Sequence, residues 1–243
     1  MNEFAIISID DSREEKKAWT RQRFTRWQEA KEIEFVNGKD PKELSKAKKK
    51  WKNVETPGPF KAGEFGIFYS VLNCLEYGAD NDGIVYFEDD AHPCADFEWR
   101  LEGYLEDLPR KMDLFACWSP SNQAGDYNGI SGFNQVGEPS YEPHKGSIFD
   151  YGDPELAGLW QGYGNVCMAF TKRGCQRLLG HIEDKGFYSP VDCLICIAAH
   201  TNILNGYALK PGVRELITYD WEVPTTIHGS RWGSIQELMK EEK

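Results

Sequence analysis

The sequence predicts an α/β protein in which helices cover a sheet. Two features of the sequence favour this class. Short apolar runs rich in β-branched and aromatic residues alternate with segments whose apolar residues recur at helical spacing. The chain has 243 residues, and 40% of them are hydrophobic, which is enough to bury one sizeable core or two small ones.

The first part of the chain leads from a strand to its main helix. Residues 4–9, FAIISI, predict a strand, and the polar residues after it can cap a helix. EIEFV and a turn at Asn37-Gly38 come next. Residues 39–59 show neither a strand period nor a helix period, which predicts a loop. A helix of about three turns then begins near Glu64, because its apolar residues follow an i, i+3, i+4 spacing.

The strongest strand signal is the segment GIVYFEDDA. Its apolar residues 84–87 lead directly into three carboxylates. An amphipathic helix over residues 97–108 and a strand over residues 113–117 follow. Residues 119–165 are rich in Gly, Tyr, Asn and Ser and predict a long loop, which in a compact domain usually has a function.

The remainder of the chain returns to alternating elements. We expect a strand over residues 166–170, followed by a helix capped by Thr171. Ser189-Pro190 predicts the start of another helix. A short strand near Tyr207 and an aromatic tail complete the chain.

Charge restricts the classes of partner. The chain has 28 Lys+Arg against 39 Asp+Glu, a formal net charge of −11. This balance argues against a protein whose affinity comes from neutralising a phosphate backbone. One basic cluster, KAKKKWK at residues 46–52, is either a solvated loop or a local flap that attracts anions.

Cysteine content and the absence of long apolar runs bear on the compartment. Seven irregularly spaced cysteines lie mostly in apolar runs, and we expect them to be reduced. No apolar run approaches the roughly 20 residues of a membrane helix, and the first residues lack the features of a secretory signal. We therefore expect a cytoplasmic protein with no membrane span.

Glu88, Asp89 and Asp90 are the first candidates for chemistry. Open α/β sheets bind ligands just outside the carboxyl ends of their strands, and three adjacent carboxylates repel one another unless a cation is present. Carboxylate oxygens suit Mg²⁺ or Mn²⁺ holding a diphosphate. The alternative is that two of the three residues cap the following helix.

Four segments resemble glycosyltransferase family 25, the lipopolysaccharide and collagen galactosyltransferase-like family. The longest, KAGEFGIFYSVLNCLEYGADNDGIVYFEDDAHP, is similar to the family's Gly-Glu-x-Gly helix start, Ser-His pair and strand ending in Leu-Glu-Asp-Asp. FVNG, GYGNVCMAFTKRGCQRLL and SPVDCLI match further blocks in the family's order, so the resemblance covers roughly residues 4–210. The chain departs from the pattern at Val71, which stands where the family has histidine, and at Cys175, which stands where it has alanine.

The resemblance implies a GT-A-like nucleotide-sugar-binding sandwich with a central mixed sheet flanked by helices. It also implies metal-dependent transfer, with inversion, from a nucleotide sugar that we expect to be a UDP-sugar. The acceptor would be a hydroxyl of a saccharide or protein, or of a hydroxymethylated DNA base if the enzyme is phage-encoded. We expect one domain over residues 1–243, with a donor- and metal-binding half (1–118), the long loop (119–165) and an acceptor half with the tail (166–243).

The resemblance and the residue chemistry together give a set of candidate site residues. The expected ligands of Mn²⁺ or Mg²⁺ are Glu88, Asp90 and His228. Asp192, in the Pro-Val-Asp tripeptide, is the candidate general base, the alternative being a charge that complements a helix N-terminus. The expected donor-binding residues are Ile9, Asp10, Arg13, Gly63, Glu64, Asp89 and Arg231. The candidate acceptor-binding aromatics, for each of which packing is the alternative, are Trp118, Tyr127, Trp160 and Tyr163.

Two other functions fit parts of this pattern. A sugar nucleotidyltransferase would use a similar fold, but the first strand is not followed by the Gly-rich, Lys- or Arg-bearing phosphate loop that it needs. A non-catalytic carbohydrate-binding protein could retain the same sandwich. Slow hydrolysis of the donor would distinguish a transferase from such a binding protein.

Overall fold

The structure is a computed structural model of the chain. It describes residues 4–7, 33, 36–38, 40–56, 60–88, 91–117, 148–149, 156–159, 167–209 and 216–219. In chain order, the elements within these ranges are β1 (Phe4–Ile7), α1 (Pro41–Lys50), α2 (Ala62–Asp80), β2 (Ile84–Glu88), β3 (Ala91–Pro93), α3 (Phe97–Asp107), β4 (Leu114–Ala116), β5 (Ile148–Phe149), β6 (Leu156–Leu159), β7 (Cys167–Phe170), α4 (Lys172–Lys185), α5 (Val191–His200), β8 (Gly206–Leu209) and β9 (Ile217–Tyr219).

Seven of the described strands form one mixed sheet in the order β1-β2-β7-β4-β8-β6-β5. β2 is parallel to β1, and β8 is parallel to β4, while β7 is antiparallel to both β2 and β4. The strands β1, β2, β4 and β8 therefore end at the same end of the sheet, called here the carboxyl end. Its opposite is the amino end.

Helices pack on both faces of this sheet. Successive side chains of a strand point to opposite faces, and here the side chains on both faces are apolar. In β2, Ile84 and Tyr86 belong to the apolar cluster formed with α2, α4 and α5. Val85 and Phe87 belong to a second cluster, formed with α3. The α/β class and the central mixed sheet flanked by helices are thus confirmed, an arrangement consistent with a GT-A-like sandwich.

Most of the predicted elements are found where the sequence places them. The strands around residues 84–87, 113–117, 166–170 and 207, the helix over residues 97–108 and the Asn37-Gly38 turn are confirmed. Thr171 caps α4 by accepting a hydrogen bond from the Gly174 N–H (3.0 Å). Pro190 stands at the N-cap of α5.

The prediction of a loop over residues 39–59 is wrong, since α1 lies within it. Asp40 Oδ1 accepts a hydrogen bond from the Lys42 N–H (2.8 Å) and caps the helix. Pro41 suits the first helical position, and lysines in the last turn complement the helix dipole. Only a few apolar side chains, among them Ala47 and Trp51, pack against α2, which is why no helical period is visible in the sequence.

Two further predictions need correction. α2 has 19 residues, more than five turns instead of three, because its buried face continues to Gly78. The predicted loop over residues 119–165 contains β5 and β6, which extend the sheet beyond β8. These strands are only two and four residues long, too short to give an alternating pattern.

All seven cysteines are free thiols. Burial raises the pKa of Cys74 and Cys167, which keeps both groups in the unreactive thiol form. Among the described residues, no helix is both long and apolar enough to span a bilayer.

A buried carboxylate joins three elements at the amino end of the sheet. Asp113, immediately before β4, is fully buried. Its Oδ1 accepts a hydrogen bond from Arg173 Nε and its Oδ2 from Arg177 Nη1, each at 2.7 Å, and both arginines belong to α4. The backbone N–H of Asn205, just before β8, donates to Oδ2 at 2.9 Å. Two guanidinium groups and a backbone amide thus offset the cost of burying this charge.

A contact between glycines places α2 against the turn at residues 36–38. A Cβ on Gly66 would lie 2.6 Å from the Val36 carbonyl oxygen, and a Cβ on Gly38 would overlap the Ala62 carbonyl. Ser70 supports the contact, because its buried hydroxyl accepts a hydrogen bond from the Val36 N–H (2.9 Å) and donates one to the Gly66 carbonyl (2.8 Å). The backbone of the turn therefore rests directly on that of the helix.

We predict that Asp113→Ala lowers the free energy of unfolding by about 3 kcal/mol, because two cations and an amide lose their partner. The value lies at the low end for a buried pair because both arginines are partly exposed. Urea denaturation measures the change. Asp82→Ala, in an exposed turn, is the control, and equal stability of the two variants would contradict this role for Asp113.

The glycine contact gives a second prediction. Gly66→Ala should destabilise the fold by about 1–3 kcal/mol, because the new methyl group meets backbone that has to shift. Gly180→Ala, also in a helix but with nothing within 4 Å of its Cβ, should be neutral or stabilising by up to about 1 kcal/mol. Thermal melting compares the two variants. If both alanines have the same effect, the contact is not tight.

Candidate functional site

Two helices begin toward the carboxyl end of the sheet. α2 connects to β2 through residues 81–83, where the Gly83 N–H donates to the Gly78 carbonyl (3.1 Å) and Gly83 has a φ of 101°, which favours glycine. This short turn sends the helix back along the strand. α5 connects to β8 through a second short segment, residues 201–205. The N-termini of both helices therefore lie toward the end of the sheet at which β2 ends.

Glu88 is the last residue of β2 and is half-buried. It stands opposite Ile7, the last residue of β1, in the parallel register of the two strands. The alternation along β2 places Glu88 on the same face as Tyr86, the face that α2 covers. One of the three predicted metal ligands is thus at the carboxyl end of the sheet, as the sequence predicts.

β3 and β9 form a separate two-stranded ribbon, which begins three residues after Glu88. Ala91 of β3 pairs with Tyr219 of β9 in antiparallel register. Ala91 follows the carboxylates at 89 and 90 directly in the chain, and Tyr219 stands nine residues before His228. Pairing of these two short strands places Tyr219 beside Ala91, which is three residues after Glu88 in the chain.

Asp192 is the second residue of α5, as the sequence predicts. It is half-buried, and its Oδ1 accepts a hydrogen bond from the Cys193 N–H (2.8 Å). The positive end of the helix dipole favours a carboxylate in this turn. Its helical position is confirmed, whereas its role as a base stays a prediction.

Gly63 and Glu64 form the first turn of α2. Glu64 Oε2 accepts a hydrogen bond from the Lys61 N–H (2.8 Å), so this carboxylate stabilises the start of the helix. Gly63 is the second helical residue and is half-buried. Both residues lie toward the carboxyl end of the sheet, and donor binding by them stays a prediction.

The other candidate site residues lie outside the described residues. They are Ile9, Asp10, Arg13, Asp89, Asp90, Trp118, Tyr127, Trp160, Tyr163, His228 and Arg231. Within the described ranges, no group of three His, Cys, Asp or Glu side chains could hold a metal ion. A metal site that includes Glu88 therefore needs ligands from the remainder of the chain, and Asp90 is the nearest candidate in sequence.

Ser70 and Val71 occupy the position of the family's Ser-His pair. The Ser70 hydroxyl is used in the contact between α2 and residue 36. Val71 is fully buried in the apolar cluster between α2 and the sheet. In this chain, both positions of the pair serve packing.

One pair of side chains that the sequence does not predict joins α4 to the segment that precedes α5. His181 Nε2 is 3.0 Å from the Tyr188 hydroxyl. Burial and the nearby charge of Lys185 lower the pKa of His181 below its ordinary value. Because a helix end separates the two residues, no periodic spacing predicts the pair. This contact links α4 to residues 186–190, the connection that leads to α5 and Asp192.

Comparison with known proteins identifies no family for this chain. No model of a protein family matches it, and no curated protein sequence matches it. The structure is similar to that of mouse xyloside xylosyltransferase 1 in its apo form, with 13% sequence identity and a TM-score of 0.37 over 83% of this chain and 70% of that chain. A TM-score this low does not establish a shared fold, and the family 25 resemblance is not confirmed.

Proposed function

We propose that this protein is a metal-dependent glycosyltransferase that moves a sugar from a nucleotide-sugar donor, a UDP-sugar, to a hydroxyl of a saccharide or protein. The observation that carries the proposal is the position of Glu88. It ends β2 beside the carboxyl end of the parallel strand β1, and two more carboxylates follow it in the chain. Ligands of α/β sheets bind in this position, outside the carboxyl ends of the strands.

The helices support binding of a diphosphate at this end of the sheet. α2 packs against both β1 and β2, and its N-terminus lies toward their carboxyl ends, as does that of α5. The N-terminus of a helix has unsatisfied N–H groups and a partial positive charge, which favour anions. A nucleoside diphosphate is the anionic part of a nucleotide sugar, so this end of the sheet suits the donor.

Glu88 and Asp90 would hold the metal ion, with His228 as a third ligand. Their carboxylate oxygens are the ligands that Mg²⁺ and Mn²⁺ prefer. When bound, the ion would neutralise the charge that develops on the departing diphosphate. The short ribbon of β3 and β9 supports the inclusion of His228, because it starts the C-terminal segment beside the residues that follow Glu88.

Asp192 would accept the proton of the acceptor hydroxyl. Inverting transfer needs a base on the side of the sugar opposite the leaving group. Asp192 lies in the first turn of α5, where the positive end of the helix dipole favours a carboxylate, and a carboxylate that binds one N–H retains capacity to accept a further proton donor. The bond from Cys193 fixes the orientation of the group.

The proposed function is tested by binding and hydrolysis of a panel of nucleotide sugars, with and without Mn²⁺. A donor at 100 times its Kd adds about 2.7 kcal/mol to the free energy of unfolding, which for a chain of this size raises Tm by about 5–11 °C. Slow hydrolysis of the same donor should accompany this shift. A wild-type protein that neither binds nor hydrolyses any nucleotide sugar would refute the proposed function.

We predict that Glu88→Gln and Asp90→Asn each abolish the Mn²⁺-dependent part of the Tm shift, because each removes an anionic oxygen ligand. The fold should persist, since removing one of three neighbouring carboxylates relieves repulsion. Glu106→Gln, exposed on α3, is the matched control and should behave as wild type. Unchanged Mn²⁺ dependence in both site variants would rule out these metal ligands. It would leave the proposed sugar transfer to be judged by the donor panel.

We predict that Asp192→Asn reduces kcat by about 10²- to 10⁴-fold, the usual contribution of a positioned base. Donor affinity should stay near that of wild type. If Asp192 only complements the helix dipole, the substitution instead costs about 1 kcal/mol or less of stability and kcat is unchanged. Kinetics, donor titration and melting of this variant decide between the roles, and Asp184→Asn on α4 controls for loss of an exposed carboxylate.

A further inference from the structure

The helix α1 and its C-terminal end carry a local excess of positive charge in this acidic protein. Residues 40–52 contain six lysines against Asp40 and Glu43, a net charge of +4 in a chain of −11. All six lysines are exposed: Lys42, Lys46, Lys48, Lys49, Lys50 and Lys52. Both carboxylates in this segment bind backbone N–H groups, Asp40 that of Lys42 and Glu43 that of Asn37. The lysines therefore dominate the solvent-facing side of α1.

The apolar side of α1 is buried against α2. Ala47 and Trp51 are buried in the cluster formed with α2, and Lys50 forms an ion pair with Glu76 that holds α1 against α2. The exposed positions of residues 41–53 carry lysine, Ser45, Asn53 and Pro41. A helix that inserts into a membrane interface buries an apolar face there. This exposed side has none, so its partner is bound by charge.

A helix on the opposite face of the sheet has the opposite charge. α3 carries Glu98, Glu102, Glu106 and Asp107 against Arg100, a net charge of −3. α1 belongs to the layer of α2, whereas α3 belongs to the other layer. At physiological ionic strength the Debye length is about 8 Å, so a charged partner on α1 is affected by the local lysines more than by the net charge of the chain.

We infer that the exposed side of α1 binds nucleic acid through its phosphate backbone. The lysines extend over about three turns of helix, and the partner has to offer closely spaced negative charge without needing apolar contact. A DNA duplex carries one negative charge for about every 1.7 Å of its axis. Ser45 and Asn53 add polar groups of the kind that contact phosphate oxygens. This binding is separate from sugar transfer and does not depend on it.

The test is the salt dependence of binding to a fluorescein-labelled DNA duplex, measured by anisotropy in the absence of nucleotide sugar and metal. Log K should fall linearly with log salt, with a slope of about −0.9 for each phosphate that a lysine neutralises. The variant Lys49→Gln/Lys52→Gln should therefore bind more weakly, with a slope smaller in magnitude by about 1.8. Lys50 stays in place so that its ion pair with Glu76 is kept.

The control variant is Arg110→Gln/Lys111→Gln, which removes the same charge from exposed positions before β4. It should bind DNA with the wild-type slope. The inference is overturned if wild-type protein shows no salt-dependent binding, or if the control variant loses as much of the slope as the α1 variant. It is also overturned if the lysines are needed only for binding to vesicles of anionic lipid. Melting curves check that each variant is folded.

Discussion

The rest of the fold depends on the neutralisation of one buried charge, the carboxylate of Asp113. A buried carboxylate without partners would cost several kcal/mol. Here Arg173 and Arg177 of α4 and the backbone of Asn205 satisfy it. These contacts link the start of β4 to a helix and to the strand β8. Because they all lie at the amino end of the sheet, the carboxyl end remains for Glu88 and for the N-termini of α2 and α5.

Several residues of the segments that resemble the family stabilise the position of α2 in the structure. Gly38 and Gly66 let the backbone of a turn rest on α2, and the Ser70 hydroxyl joins the same two segments. Glu64 binds the N–H of Lys61 at the start of the helix. Part of the resemblance to a glycosyltransferase family thus lies in residues that position α2. The candidate site residues Glu88 and Asp192 both lie toward the carboxyl end of the sheet.

Net charge and charge distribution lead to different expectations for this protein. A value of −11 argues against a polyanionic partner. The sheet, however, separates a basic helix on one face from an acidic helix on the other. Interactions between exposed charges are screened within about 8 Å in physiological salt, so the two faces act almost independently. The average over the chain therefore does not describe the face that carries α1.

The sequence by itself determined most of the local elements, the α/β class and the positions of Glu88 at a strand end and Asp192 in the first turn of a helix. The apolar run before Glu88, the cap at Thr171 and the proline before α5 depend on contacts between residues close in the chain, and such contacts leave a readable pattern. Only the tertiary structure decided that α1 packs on α2, that β5 and β6 join the sheet, and that Arg173 lies against Asp113. These features depend on partners far away in the chain, and a contact between distant residues leaves no period in either segment.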